Sequence, residues 1–146
     1  MLLTLTIDSE IYNASLVSRH YGNTVINNAM LGYSEWTRIF SAAKIVIIIH
    51  YQDENTPCYQ ASPKIYEALA YKSFVLVDRQ RDVFRLFEDG THLVGFDEIE
   101  DLREKINYYL RHPGEREKIA GQGYGKILEK HTYKHRIKEM LSAIRA

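Results

Sequence analysis

Residues 45–49 read Ile-Val-Ile-Ile-Ile, the longest apolar run in the chain. A strand that is apolar at every position, rather than at alternate positions, is typical of a parallel sheet with helices over both of its faces. The run is far shorter than the ~20 apolar residues that a membrane-spanning helix needs, so we expect no transmembrane segment. The stretch therefore predicts a buried central strand in an α/β domain.

The residues on either side of this strand alternate between strand-like and helix-like patterns. Short apolar runs predict further strands at 2–7, 24–26, 74–77 and 92–96. Apolar residues at helical spacing predict helices at 11–21, 33–43, 62–71, 82–87, 115–130 and 133–144. A further helix is expected between Asp97, as its N-cap with Glu100 three residues on, and the break at residues 112–114. This alternation predicts one α/β domain over residues 1–146, built on a doubly wound parallel sheet.

The charge of the chain is balanced overall but unevenly distributed. Residues 102–146 carry eleven Lys/Arg and five Glu, whereas residues 1–101 carry eight Lys/Arg and fourteen Asp/Glu. A basic third can face anionic lipid or nucleic acid, but a solvated helix face with i,i+4 ion pairs is the favoured interpretation. No nucleic-acid partner is expected, because no aromatic-plus-basic binding signature accompanies the charges. The one cysteine, Cys58, excludes an internal disulfide.

The connection from His50 to Glu67 is the candidate functional segment. It is long for a compact domain, and it follows the carboxyl end of the central strand, where ligands bind in such sheets. At its end Ser62-Pro63-Lys64 begins a helix, whose free N–H groups and dipole favour an anion. Lys64 adds a positive charge, and Glu67 lies one turn further, placed to accept hydrogen bonds from sugar hydroxyls. The residues suit a phosphate linked to a sugar, with an ordinary capped helix as the alternative.

Metal-dependent sites find little support in the sequence. A phosphoryl-accepting receiver domain would use acids such as Asp8 and Asp53, but the Ser/Thr and Lys that should follow later strands are missing. A zinc site at His131 and His135 lacks a third ligand, so these are expected to be surface histidines. We therefore expect no metal site.

The segment SPKIYEALAYKSFVLVD, residues 62–78, resembles a known motif of the form pRxFEaxAxGxxxlxD. In the order expected around that motif, residues 32–49, 82–96 and 97–141 resemble its flanking segments. Together they make residues 33–144 similar to the C-terminal, donor-binding half of a GT-B glycosyltransferase. The resemblance is to the group 1 type that includes the spore-maturation CgeB-like proteins.

The resemblance implies a Rossmann-like parallel sheet sandwiched by helices that binds a nucleotide-diphosphate sugar as donor substrate, with no metal and no other cofactor. Glu67 falls on the family glutamate that holds the ribose hydroxyls. Ala61 and Ser62 fall where backbone N–H groups approach the diphosphate. Lys64 replaces a basic residue, usually arginine, near the same phosphates, without the bidentate fork that arginine supplies.

The chain also departs from the family pattern at two positions. Many retaining members carry a second acid eight residues before the glutamate, and here that position is Tyr59. The family glycine after the helix is Lys72 here. Tyr59 and Tyr66 are candidates for contact with the donor sugar or base, with hydrophobic packing as the alternative.

A GT-B enzyme binds its donor between two similar domains, and this chain has the length for one. We therefore expect an acceptor-binding domain or protein to be supplied separately, or self-association to complete the site, and we assign no catalytic residue. Whether the chain is itself a glycosyltransferase stays open. The alternative is a non-catalytic interaction module derived from such a domain, which would use the apolar surface that a missing partner leaves exposed. The first residues lack the features of a secretion signal, so a cytoplasmic location is expected.

Overall fold

The computed structural model describes residues 3–8, 20–21, 24–25, 33–50 and 61–144. Over these residues the strands are β1 (Leu3–Asp8), β2 (His20–Tyr21), β3 (Thr24–Val25), β4 (Ile45–His50), β5 (Val75–Asp78) and β6 (Val94–Phe96). The helices are α1 (Tyr33–Ala42), α2 (Pro63–Ala70), α3 (Arg81–Leu86), α4 (Ile99–Arg111), α5 (Pro113–Lys130) and α6 (Tyr133–Ile144).

Four of the strands form one parallel sheet in the order β1-β4-β5-β6. Its register places Asp8 opposite His50, and Asp78 opposite Phe96. Because the strands run in the same direction, their carboxyl ends lie along one edge of the sheet. The chain leaves β4 at this edge and re-enters the described structure at Ala61, just before α2. The predicted α/β, Rossmann-like fold class is confirmed.

The central strand β4 is buried on both sides, as its continuous apolar sequence predicts. Alternate β4 residues lie in two different buried clusters. The first cluster also contains residues of α1, α2 and α3, and the second contains residues of α4. Helix α5 contributes residues to both clusters. The first cluster includes Phe40, Val46, Ile48, Ile65, Leu69, Val83 and Ile127; the second includes Ile45, Ile47, Leu76, Phe96, Leu102 and Ile119. Each fully buried aliphatic side chain contributes about 1.5–3 kcal/mol relative to its exposed state.

The sequence prediction was wrong for part of the N-terminal region. His20 and Tyr21, expected to end a helix, form β2, which pairs antiparallel with β3 and not with the main sheet. The intervening pair Gly22-Asn23 favours a two-residue hairpin connection, which explains why a strand is formed here. The rest of the expected helix, residues 11–19, lies outside the described residues.

The start of α4 also differs from its prediction. Glu98 occupies the N-cap position without a side-chain cap, so the capping box that was expected from Asp97 and Glu100 is absent. The Asp97 carboxylate instead accepts a hydrogen bond from Arg79 Nε at 2.9 Å. Its backbone N–H donates to Asp101 Oδ2 at 3.0 Å. Arg79, the residue after β5, therefore binds the Asp97 carboxylate that was expected to cap the helix.

The C-terminal helices are increasingly exposed along the chain. α5 buries Ile119, Ala120, Gly123 and Ile127, whereas α6 has no buried residue. Among the described residues no helix combines the length and apolarity that a membrane crossing requires.

Candidate functional site

A buried polar network joins the carboxyl ends of β4 and β5. His50 Nδ1 lies 2.6 Å from Asp78 Oδ1, and the His50 backbone N–H donates to the same oxygen at 3.0 Å. The other carboxylate oxygen accepts a hydrogen bond from Gln80 Nε2 at 2.6 Å. All three side chains are buried. A buried carboxylate is tolerated only when its oxygens are paired in this way.

The second ring nitrogen of His50 fixes the start of α2. The Ser62 backbone N–H donates to His50 Nε2 at 3.1 Å, so this nitrogen must be an unprotonated acceptor. The proton of the neutral imidazole therefore sits on Nδ1 and is donated to Asp78. His50 thus ties the residue that precedes α2 to the sheet.

The carboxyl group of Asp78 is held in its charged form. Burial raises its pKa, but the hydrogen bonds that His50 and Gln80 donate outweigh burial, so the pKa lies below its ordinary value. At neutral pH the network therefore carries a carboxylate under the N-terminus of α2. This charge is compensated by protein donors rather than by solvent.

The first turn of α2 uses its own backbone donors. Ser62 Oγ accepts from the Lys64 N–H at 3.4 Å, and the Ser62 carbonyl accepts from the Ile65 N–H at 3.0 Å. Pro63, at the first helical position, has no N–H. The predicted Ser-Pro helix start is confirmed. The bond to the Lys64 N–H is long for a hydrogen bond, so an anion at this terminus would displace Ser62 Oγ most readily there.

Lys64 and Glu67 lie three residues apart on α2, so both occupy the same side of the helix. Glu67 is exposed and Lys64 half-buried, whereas Ile65, Ala68 and Leu69 face the core. The structure therefore brings a positive and a negative side chain together near the carboxyl edge of the sheet. Such a pair can contact a phosphate and a hydroxyl-bearing group of one ligand.

The other predicted site residues differ from Lys64 and Glu67 in their burial and in the groups that they contact. Ala61 is half-buried and packs against the first core cluster, and Ser62 is fully buried. The half-buried Tyr66 ring packs against Phe87 and His131, at centroid distances of 5.6 Å in both cases. Burial raises the pKa of Tyr66, while Arg136 acts in the opposite direction. Tyr59 lies outside the described residues.

The end of α2 forms a tight turn even though the family glycine is replaced. Ser73 N–H donates to the Ala68 carbonyl and Lys72 N–H to the Leu69 carbonyl, both at 3.0 Å. These two bonds define a Schellman motif. Lys72 takes the left-handed conformation that the motif requires, with φ of 55°. The substitution therefore preserves the turn at the cost of a strained lysine backbone.

A second polar cluster, which the sequence did not reveal, lies where β5 and β6 end. Arg79 contacts Asp89 and Asp97, each at 2.9 Å, and Asp89 also accepts from the Gly95 N–H at 2.9 Å. The guanidinium therefore binds two carboxylates, and these contacts connect the end of β5 to the residues on either side of β6.

His50 and Asp78 were likewise missed as site residues. Each is the last residue of its strand, so a polar residue that ends an apolar run was the available signal. The parallel register then brings the two strand ends together. The remaining partner, Gln80, follows two residues after Asp78.

The two histidines considered for zinc have other partners. His131 Nδ1 lies 2.7 Å from Arg136 Nη2, and His135 Nδ1 lies 2.7 Å from Thr132 Oγ1. His131 and His135 are both half-buried, and the His131 ring packs against Tyr66 and Phe87, so neither is a fully exposed surface histidine. Within the described ranges no group of three metal-ligating side chains occurs. Of the acids considered for a receiver domain, Asp53 lies outside the described residues.

Comparison with known proteins places this architecture in a family. Residues 5–142 match the model of a family described as glycosyl transferase-like. No curated protein and no solved structure gives a significant match. The matched residues include α2 with Lys64 and Glu67, together with β4, β5 and β6. The match covers nearly all of the 146 residues, so the chain belongs to the glycosyl transferase-like family.

Proposed function

We propose that the chain is the donor-binding half of a GT-B glycosyltransferase of the CgeB-like type, and that α2 holds a nucleotide-diphosphate sugar. The observation that carries this proposal is the placement of Lys64 and Glu67 on one side of a helix that begins at the carboxyl edge of the sheet. Ligands of open α/β sheets bind at this edge. The family match supports the same reading.

In the proposed complex each residue has a separate task. The Lys64 ammonium and backbone N–H contact the diphosphate directly, and the proposed complex includes no metal ion. Glu67 accepts hydrogen bonds from the ribose hydroxyls. Ala61 lies at the entrance to the helix, and the N–H of Ser62 reaches the diphosphate only if it leaves His50 Nε2, to which it donates at 3.1 Å.

Transfer of the sugar needs groups beyond this donor site. The acceptor and a general base would come from a partner domain or a separate protein, or from a second copy of the chain. For this reason we assign no catalytic step to the described residues. We place the protein in the cytoplasm, where nucleotide sugars are used.

One observation favours the alternative, a non-catalytic interaction module. The N–H groups of Ser62, Lys64 and Ile65 all have protein partners, and Ser62 is fully buried. A helix start that satisfies its own donors binds an anion less strongly than one whose N–H groups face solvent. Nucleotide affinity therefore separates the two functions.

The test is calorimetric titration with UDP, GDP, ADP and CMP, with and without Mg²⁺. The donor-binding half should bind one nucleoside diphosphate at micromolar concentration, independently of the metal. Glu67→Ala should weaken that binding by about 1–3 kcal/mol, the range for lost hydrogen bonds to a charged group. The matched control is Glu117→Ala, which removes an exposed glutamate from α5. Absence of binding by the wild-type chain would favour the interaction module, and an unchanged Glu67→Ala would remove Glu67 from the site.

A further inference from the structure

Helix α6 carries an apolar stripe that no part of the described structure covers. Apolar side chains recur along it at helical spacing, and at 100° per residue they fall within a stripe about 100° wide. They are Tyr133, Ile137, Met140, Leu141 and Ile144. Tyr133 is 88% exposed and Ile144 79%, and none of the twelve residues of α6 is buried. A contiguous exposed apolar surface of this kind marks an interaction site.

The orientation of α6 keeps this stripe turned outward. Its half-buried residues are His135 and Arg136, which point about 170° and about 90° away from the stripe centre. Arg136 Nη2 lies 2.7 Å from His131 Nδ1 at the end of α5, and the Arg136 charge acts to lower the pKa of Tyr66 of α2, against the larger effect of burial. These contacts attach α6 to the body of the domain through its polar side.

The charges beside the stripe are mainly positive. Lys134 and Lys138 are exposed and follow one edge of the stripe, one helical turn apart. Glu139 is the single acidic residue of α6, and it is paired with Arg136 at 2.8 Å. The unpaired charge presented along the stripe is therefore that of lysine. Residues 102–146 as a whole carry eleven Lys/Arg against five Glu.

We propose that α6 lies on the surface of an anionic lipid membrane, with its apolar stripe in the headgroup region. An apolar stripe flanked by lysine is the chemistry of helices that lie in the membrane interface. Tyr133, at the start of the helix, suits that position because its ring is apolar and its hydroxyl polar. A second copy of α6 fits less well, because lysine is depleted from protein interfaces and two lysine-flanked stripes would bring like charges into one contact. This inference does not depend on nucleotide binding.

The experiment is co-sedimentation of the full chain with large vesicles at low and high salt. One set contains phosphatidylcholine alone, and the other contains roughly 30% phosphatidylglycerol, enough for an anionic surface. We expect binding to the second set only, and weaker binding as the salt concentration rises. Binding to both sets equally, or to neither, would overturn the proposal.

Variants separate the stripe and the lysines from a general effect on the fold. Ile137→Ser/Leu141→Ser should lower the partition coefficient at least about tenfold. Lys134→Gln/Lys138→Gln should lower it by about fivefold per lysine. The control Ile99→Ser removes an equally exposed isoleucine from α4 and should bind as the wild type does. The thermal midpoint of each variant confirms that it is folded. Loss of a dimer in the stripe variant, with no vesicle binding by the wild type, would instead assign the stripe to self-association.

Discussion

The His50 imidazole and the Asp78 carboxylate meet at 2.6 Å although the residues are 28 positions apart in the chain. They end two neighbouring parallel strands, and the imidazole reaches from Asp78 to the backbone N–H of Ser62. The position of α2, and therefore of Lys64 and Glu67, depends on this contact. A buried polar network can specify geometry in this way because each of its groups has one satisfactory partner arrangement.

Replacement of His50 by leucine should destabilise the fold strongly. The variant leaves the buried Asp78 carboxylate without the imidazole and the Ser62 N–H without an acceptor. We expect the free energy of unfolding to fall by about 2–4 kcal/mol, as when one partner of a buried charged hydrogen bond is lost. Urea denaturation followed by circular dichroism measures this change. In a double-mutant cycle, Asp78→Asn should recover at least about 1 kcal/mol of the loss. Strictly additive effects would contradict the proposed coupling.

The stability of the protein should fall as the pH drops below about 6.5, the ordinary pKa of histidine. Burial and the neighbouring Arg136 and Lys126 lower the pKa of His131, while Glu139 opposes them and His135 adds a smaller lowering effect. The unfolded chain therefore takes up a proton at higher pH than the folded chain, and the free energy of unfolding decreases with falling pH in that window. His131→Asn should reduce this slope, measured by urea denaturation between pH 7.5 and 5.

A second histidine and a control variant are needed to interpret the change in this slope. Burial also lowers the pKa of His92, so part of the slope should remain in His131→Asn. Gln122→Asn, which replaces an exposed side chain of α5 that does not titrate, is the control and should keep the wild-type slope. A slope that is unchanged by His131→Asn would show that His131 is not the group responsible.

Local sequence signals predicted the parts of the fold that depend on few distant residues. The continuous apolar run of β4 requires burial on both faces, and Ser62-Pro63 fixes the start of α2 through local capping. The capping of α4 by Asp97 failed because Arg79, 18 residues earlier, binds its carboxylate. The left-handed conformation of Lys72 could not be predicted from its residue type either, because a residue with a Cβ rarely adopts a positive φ.

The candidate site was predicted only in part for the same reason. Lys64 and Glu67 follow from helical spacing, which is a local property. The network of His50, Asp78 and Ser62 depends on the register between β4 and β5 and on where the chain returns to the sheet. Those relationships are set by tertiary structure, so the separate residues carried only a weak signal.

Alanine at Gly123 should destabilise the protein, whereas alanine at the neighbouring α5 glycines, Gly121 and Gly125, should stabilise it. A Cβ on Gly123 would overlap the His92 carbonyl oxygen and lie 2.7 Å from Leu69 Cδ2. Gly123→Ala should therefore cost about 2–3 kcal/mol, since backbone must move. At Gly121 and Gly125 nothing lies within 4 Å of the added atom, so alanine should stabilise the helix by about 0.5–1 kcal/mol at each site. Thermal unfolding of the three variants checks the order, and a stabilising Gly123→Ala would mean that α2 and α5 are further apart than described.

The backbone strain at Lys72 should appear as a difference in stability between the variants Lys72→Gly and Lys72→Ala. Its φ of 55° suits glycine but costs a residue with a Cβ about 1–2 kcal/mol. The lysine ammonium also lies 4.8 Å from the centroid of the Tyr124 ring, so both Lys72→Gly and Lys72→Ala lose this cation–π contact. The loss cancels when the two variants are compared, and only the backbone difference remains. We therefore expect Lys72→Gly to unfold at a higher urea concentration than Lys72→Ala, by about 1 kcal/mol in free energy. Equal stabilities, or a more stable alanine variant, would mean that Lys72 does not hold the left-handed conformation in solution.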